Sequence, residues 1–331
     1  MLPVLAIGAL GGTIAMSDAA PGAGAAPSHD AAALVAAVPA LASFATVRAT
    51  SIRNKPSASI DVADVLAALT WARDEADRGV TGLVLTHGTD TLEETAYLLD
   101  MLWDRDPPIV VTGAMRAFDQ PGTDAAANLL AAARVALSAG SQQRGALVVL
   151  NEEIHLAPRV TKASSTGPEA FESPGFGVAG RVVEGEVRYS APAPRRAEAL
   201  PVPGGGPVDV ALIEAPLADD GAAVRALAAA GFAGLVVDAS GMGHVSAATA
   251  DALESAIADG VAVVVASRTL RGGTGRVTYG YAGSEMDLIA RGAVMAGELS
   301  GRKARLLLHV LLQVGLRGSR LSGVFAERGR I

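Results

Sequence analysis

Two hydrophobic periodicities take turns along this chain, and their alternation restricts its fold more than any other feature. Uninterrupted apolar runs of strand length stand at 2–10 ("LPVLAIGAL"), 80–88 ("VTGLVLTHG"), 107–115 ("PPIVVTGAM") and 145–153 ("GALVVLNEE"). Between them lie amphipathic helical patterns, "DVADVLAALTWARDEADRG" at 61–79, "LEETAYLLDMLW" at 92–103 and "DAAANLLAAARVAL" at 124–137. Strands that are apolar on both faces and separated by helices belong to a parallel sheet covered on both sides. "VAGRVVEGEVRYS" alternates around Glu184-Gly185 and predicts a hairpin. The stretch "APAPRRAEALPVPGGGP" at 191–207 is rich in Pro and Gly and predicts a linker. After it the alternation restarts with "VDVALIEA", "GLVVDAS" and "VAVVVAS", and "RKARLLLHVLLQVG" predicts a closing helix. The expected fold class is therefore α/β in two domains. The larger, 1–190, holds a mostly parallel sheet flanked by helices; the smaller α/β domain spans 208–331.

Composition narrows the function classes. A net charge of −7, without a basic run, argues against a nucleic-acid partner. No apolar stretch is long enough to span a bilayer. The absence of cysteine removes disulfides and thiolate metal sites and fits a reducing compartment. With no Lys/Arg-led apolar leader at the start, the expected location is cytoplasmic. His29, His87, His155, His244 and His309 show no metal-ligand spacing, so no metal and no cofactor is expected. Trp71 and Trp103 lie on helical patterns and read as packing residues.

Three segments could carry chemistry. "GALGGTIAMS" at 8–17 ends a strand in glycines and then presents Thr13. A dinucleotide loop would need a helix directly afterwards, and Pro21, Gly22, Gly24 and Pro27 oppose one; a Walker loop would need Gly-Lys-Ser/Thr. An ordinary turn and a nucleophile loop both stay open. "LTHGTDTLEETAY" at 85–97 sets His87-Gly88-Thr89 at the carboxyl end of a central strand, where open α/β sheets place their sites. Its Thr91 and Glu94 have capping-box spacing, and Asp90 suits the positive end of a helix. In "APRVTKASSTGPEAFESPGFG" at 157–177, Lys162 lies among apolar and small residues. Most lysines are solvated, but one held beside a hydroxyl and a carboxylate can act as a base.

Together these segments resemble the bacterial-type L-asparaginase/glutaminase family. "GGTIA" is similar to its first signature and "THGTDTLEETAY" to its second, with "VTGAMR", "NEEIHLAPRVTK" and "LSGRKARLLL" following in the expected order. The resemblance covers nearly the whole chain. It implies the two-domain asparaginase-like fold and hydrolysis of the side-chain amide of asparagine, with slower action on glutamine and no cofactor. It implies Thr13 as nucleophile, with Thr89, Asp90 and Lys162 as the set that activates nucleophile or water. It further implies Ser57 on the substrate α-carboxylate, Asp90 on the α-amino group, Gly88 in the substrate pocket, and the Ala114 carbonyl on the leaving amide. The Thr89 N–H would face the oxyanion, and Glu285 would be an acidic residue lent to a neighbouring subunit's site. The implied assembly is a homo-oligomer, a dimer of dimers, whose partner is a small amino-acid amide.

Two departures bear on the substrate. The family carries a lid tyrosine about a dozen residues past the nucleophile, where this chain has "APGAGAAPSHD"; and Ala58 follows Ser57 where many members have Gln or Glu. A relaxed amidohydrolase of another small amide, or a non-catalytic amino-acid binder, therefore stands beside the asparaginase reading. A third option, the amidotransferase subunit that supplies ammonia to a tRNA-charging partner, usually carries an extra N-terminal domain, whereas this chain begins at the first strand. Few large side chains occur at 17–29, which predicts a mobile lid ordered by ligand.

Overall fold

A computed structural model describes residues 1–18, 25–27, 29–204, 206 and 208–330. The chain divides into two compact units, Met1–Ala199 and Leu200–Ile331. The two-domain α/β architecture expected from the alternation is what the chain adopts.

In chain order the larger unit contains β1 (Val4–Gly11), β2 (Met16–Asp18), β3 (Ala25–Pro27), α1 (Ala31–Ala36), β4 (Thr46–Lys55), α2 (Val62–Asp77), β5 (Gly82–Thr86) and α3 (Leu92–Leu102). It continues with β6 (Ile109–Thr112), α4 (Ala125–Leu137), β7 (Ala146–Leu150), β8 (Glu153–Leu156), β9 (Thr161–Lys162), β10 (Phe171–Glu172), β11 (Gly180–Val183) and β12 (Glu186–Tyr189). Its main sheet has eight strands in the order β12-β11-β8-β7-β6-β5-β1-β4. The five strands from β7 to β4 are parallel, and β8, β11 and β12 extend them antiparallel. Leu5, Ile7, Val84, Val110, Leu147 and Val149 form one buried face with residues of α1 and α4. Gly8, on the opposite face, sits against Trp71 of α2. Both faces are thus covered, which is why the central strands are continuously apolar.

The turns follow local sequence. Glu184 and Gly185 both have positive φ, 52° and 82°, as a two-residue hairpin loop with the right twist requires, and β11 pairs with β12 as predicted. The β7–β8 turn uses Asn151 and Glu152 in the same way. Asp61 caps α2 in a reciprocal capping box with Asp64, and Gly79 ends the run at φ 80°.

The smaller unit contains β13 (Val210–Glu214), α5 (Ala222–Ala229), β14 (Gly234–Ala239), α6 (Ala247–Ala258), β15 (Ala262–Ser267), α7 (Glu285–Ala290), β16 (Val294–Met295), α8 (Gly301–Gln313) and α9 (Gly318–Arg328). Its sheet is parallel throughout, in the order β13-β14-β15-β16. The helix expected to close the chain is α8, but α9 follows it after Gly315 and buries Leu321 and Phe325. No helix among the described residues is long and apolar enough to cross a membrane.

Candidate active site

The site is built where the parallel strands of the larger sheet end. Strand β1 leaves the sheet through a bulge, since Ala9 pairs with Ser51 but Gly11 pairs with Lys55. Gly11 and Gly12 then take φ of 103° and 87°, conformations that L side chains avoid. A Cβ on Gly12 would stand 2.1 Å from the Gly88 Cα. The glycines therefore let two loop backbones lie directly on each other. Thr13 and Thr89 are the next residues of the two loops, so this contact brings their two backbones to one edge of the sheet. Thr13 opens a short 3₁₀ turn, Thr13–Ala15, pinned by the buried Ile14 and Ala15.

Past Gly88 the loop carries a chain of polar contacts. The Lys162 Nζ donates to Thr89 Oγ1 at 2.9 Å and to Asp90 Oδ1 at 2.6 Å. Lys162 arrives from β9 with its side chain 13% exposed, whereas Asp90 is largely open to solvent. The backbone N–H of Lys162 donates to Glu93 Oε2 at 2.5 Å. Glu93 is buried in the first turn of α3, so that helix fixes the lysine's backbone while Thr89 and Asp90 fix its amine. Ser57, buried on a 3₁₀ turn after β4, accepts the Asp90 N–H at 3.3 Å. A Cβ on Gly88 would come within 2.7 Å of Ser57 Oγ, so Gly88 is what admits the serine.

The capping box expected from Thr91 and Glu94 does not form. Thr91 occupies the cap position of α3, but its hydroxyl makes no cap and instead donates to the Ser57 carbonyl at 2.8 Å. The serine loop wins that hydroxyl and is thereby tied to the second signature. His87, fully buried, donates from Nδ1 to the Gly88 carbonyl at 2.6 Å and accepts at Nε2 from the Thr95 hydroxyl at 2.9 Å. Burial pushes its pKa down to about 4, and the bond to the carbonyl only partly opposes that, so the ring is neutral near pH 7.

Ala114 lies buried just after β6, on a loop held by Asp124 and Asn128. Thr13, Ser57, Gly88, Thr89, Asp90, Ala114 and Lys162 thus all belong to the larger unit, on or beside loops that follow its parallel strands. Glu285 belongs to the smaller unit. It is fully buried; one oxygen accepts the N–H groups of Thr278 and Tyr279, and the other accepts from His244 Nε2 at 3.0 Å. His244 Nδ1 pairs with the Tyr281 hydroxyl at 2.9 Å. The expected lid at 17–29 falls largely on residues 19–24 and 28, which lie outside the described residues. Its described ends pair as β2 and β3, and Ser17 Oγ meets His29 Nε2 at 2.6 Å.

Sequence reasoning missed Glu93, Asp124 and Asn128. The only available signal was an acidic residue in the first turn of one helix and an Asp-x-x-x-Asn spacing at the start of another, and both patterns are common in exposed helices.

The fold and this edge define a two-unit α/β protein with a threonine–lysine–aspartate cluster at the carboxyl end of its larger sheet. The model of the asparaginase N-terminal domain matches residues 4–195, and that of the glutaminase/asparaginase C-terminal domain matches residues 209–325. The chain belongs to the asparaginase family. An L-asparaginase of Bacillus licheniformis is 37% identical over 71% of this chain and 72% of its own length. A probable periplasmic L-asparaginase of Haemophilus influenzae is 35% identical over 84% of this chain and 79% of its own. Among solved structures, the probable cytoplasmic L-asparaginase of Campylobacter jejuni superposes with a TM-score of 0.87 at 29% identity, covering 98% of this chain and 99% of that one.

Proposed function

We propose that the chain hydrolyses the side-chain amide of L-asparagine to L-aspartate and ammonia, with Thr13 as the nucleophile. The observation that carries the reading is Lys162 Nζ between Thr89 Oγ1 and Asp90 Oδ1, beside the Gly12–Gly88 contact that brings Thr13 in. A lysine bonded to a threonine hydroxyl and oriented by a carboxylate is a proton-handling set. In this reading the Thr13 oxygen bonds to the amide carbon and passes its proton to the Thr89–Lys162 pair. The Thr89 N–H takes the oxyanion. The C–N bond then breaks, ammonia leaves with a proton, and a water activated by the same pair releases aspartate from the threonyl ester. Ser57 and Asp90 hold the α-carboxylate and α-amino groups, Gly88 leaves them room, and the Ala114 carbonyl meets the amide nitrogen.

The names of the relatives support asparagine as substrate, and the description of the C-terminal family model supports a secondary action on glutamine. A cytoplasmic homotetramer completes the proposal; the Campylobacter relative, named a probable cytoplasmic L-asparaginase, supports the location. Ammonia release from asparagine, glutamine and D-asparagine by the purified protein is the test. Thr13→Ala should stay folded and lose nearly all release. Near wild-type turnover by that variant would remove Thr13 from the nucleophile's role.

A further inference from the structure

We infer that Asp124 is a positioning residue that tunes the Ala114 carbonyl for the leaving amide nitrogen, which makes it a determinant of amide specificity. This rests on the reading above, in which that carbonyl meets the substrate's amide.

Asp124 stands at the cap position of α4, where an aspartate ordinarily accepts an N–H of its own helix. It makes no such bond. Instead its two oxygens take the Met115 N–H at 3.1 and 3.0 Å, and Oδ1 also takes the Arg116 N–H at 3.0 Å. The Met115 N–H and the Ala114 C=O belong to one peptide plane. A carboxylate bonded to the N–H end pushes electron density toward the oxygen end and strengthens it as an acceptor. The same contact fixes the plane's direction. Asn128, almost fully buried, completes the grip: its amide donates to Asp124 Oδ2 at 2.9 Å and to the Gly113 carbonyl at 3.0 Å. Its carbonyl accepts the Asn151 N–H at 2.9 Å, which ties the assembly to the β7–β8 turn. Ala114 is therefore fixed from the peptide before it and the peptide after it by side chains of one helix and its cap.

The chemistry says which substrates should notice. An amide offers N–H groups to a strong carbonyl acceptor, and holding them aims the nitrogen lone pair that must take a proton as the C–N bond breaks. An ester leaving group has no N–H to offer. A charge lost from Asp124 should thus be felt by amides and not by esters of the same acid.

The experiment compares wild type with Asp124→Asn on L-asparagine and on the β-methyl ester of L-aspartate, with thermal melting to show that the variant is folded. We expect kcat/KM for asparagine to fall roughly tenfold or more, on the scale of other lost transition-state hydrogen bonds, and that for the ester to change by less than about threefold. Equal losses on both substrates would mean that Asp124 only braces the loop, and the inference would be overturned. Asp124→Ser, which keeps one uncharged acceptor, supplies the same comparison if Asp124→Asn does not fold. A wild-type protein that splits the ester but releases no ammonia from asparagine would bring down the proposed function itself, and this inference with it.

Discussion

At the scale of single residues, the site works by making each polar group depend on its neighbours. Lys162 touches Thr89 and Asp90 with its amine and Glu93 with its backbone, so no member can be removed without loosening the others. Lys162→Met and Thr89→Val should each lower kcat on asparagine by roughly a hundredfold or more, because groups acting as a unit lose comparable amounts when removed singly. The double variant should be scarcely worse than either single one. Losses that multiply in a double-mutant cycle would separate the two residues into independent roles. The resemblance of their segments to the family's motifs is what singled out Thr89, Asp90 and Lys162 in the sequence, and the three side chains do meet. The sequence did not reveal Glu93, whose part is a bond from a side chain to a backbone N–H 69 residues away, and such a bond leaves no pattern in the neighbouring letters.

At the scale of elements, the fold was legible wherever burial writes a period into the sequence, and obscure wherever it does not. Strands β1, β5, β6 and β7 are buried on both faces and read plainly. Strand β4 did not: it is an edge strand, mostly exposed, carrying Arg48, Arg53 and Lys55. Edge strands guard themselves with such charges, which erases the apolar signal. The two glycines before Thr13 show the same division. Their presence suggested a close approach, but only the three-dimensional arrangement names Gly88 as the partner. Two substitutions separate crowding from backbone strain. Gly79 has φ 80° and open space around it, so Gly79→Ala should cost about 1 kcal/mol, the ordinary penalty of a left-handed backbone. Gly12 has φ 87° and the Gly88 backbone where a Cβ would go, so Gly12→Ala should cost about 3 kcal/mol or more and abolish turnover even in the folded fraction. Urea midpoints measure the first quantity and ammonia release the second. Equal destabilisation by the two changes would mean that the loops do not need their contact.

At the scale of the whole molecule, the two units carry different answers to acid. In the larger, His87 is fully buried with a pKa of about 4, against about 6.5 for an exposed ring. Between those values the unfolded chain binds a proton that the folded one refuses, so this stability is whole above pH 6.5 and is lost as pH falls toward 4. The full loss is about 3 kcal/mol at 1.36 kcal/mol per pH unit. Asp64 adds to it only in stronger acid: burial raises its pKa, but bonds from Lys55, Arg53 and the Asp61 N–H outweigh that and bring it to about 2, so its stability fades below about pH 4. In the smaller unit Glu285 behaves in the same way. Burial pulls its pKa up, and the N–H groups of Tyr279 and Thr278, its own N–H and His244 pull it down further than that, so its contribution is lost only below the usual glutamate range. His309 is shifted down by burial, yet it is only half-buried and its effect is screened. From pH 7 to pH 5 the larger unit should therefore weaken more than the smaller. Both tryptophans, Trp71 and Trp103, lie in the larger unit, so indole fluorescence reports that unit alone, whereas far-UV circular dichroism reports both. Urea titrations should coincide by the two probes at pH 7 and separate at pH 5, with the fluorescence midpoint moving to lower urea. His87→Asn, which cannot titrate, should flatten that movement even if its own stability at pH 7 is lower. A fluorescence midpoint that shifts as far in His87→Asn as in wild type would assign the acid response to some other group.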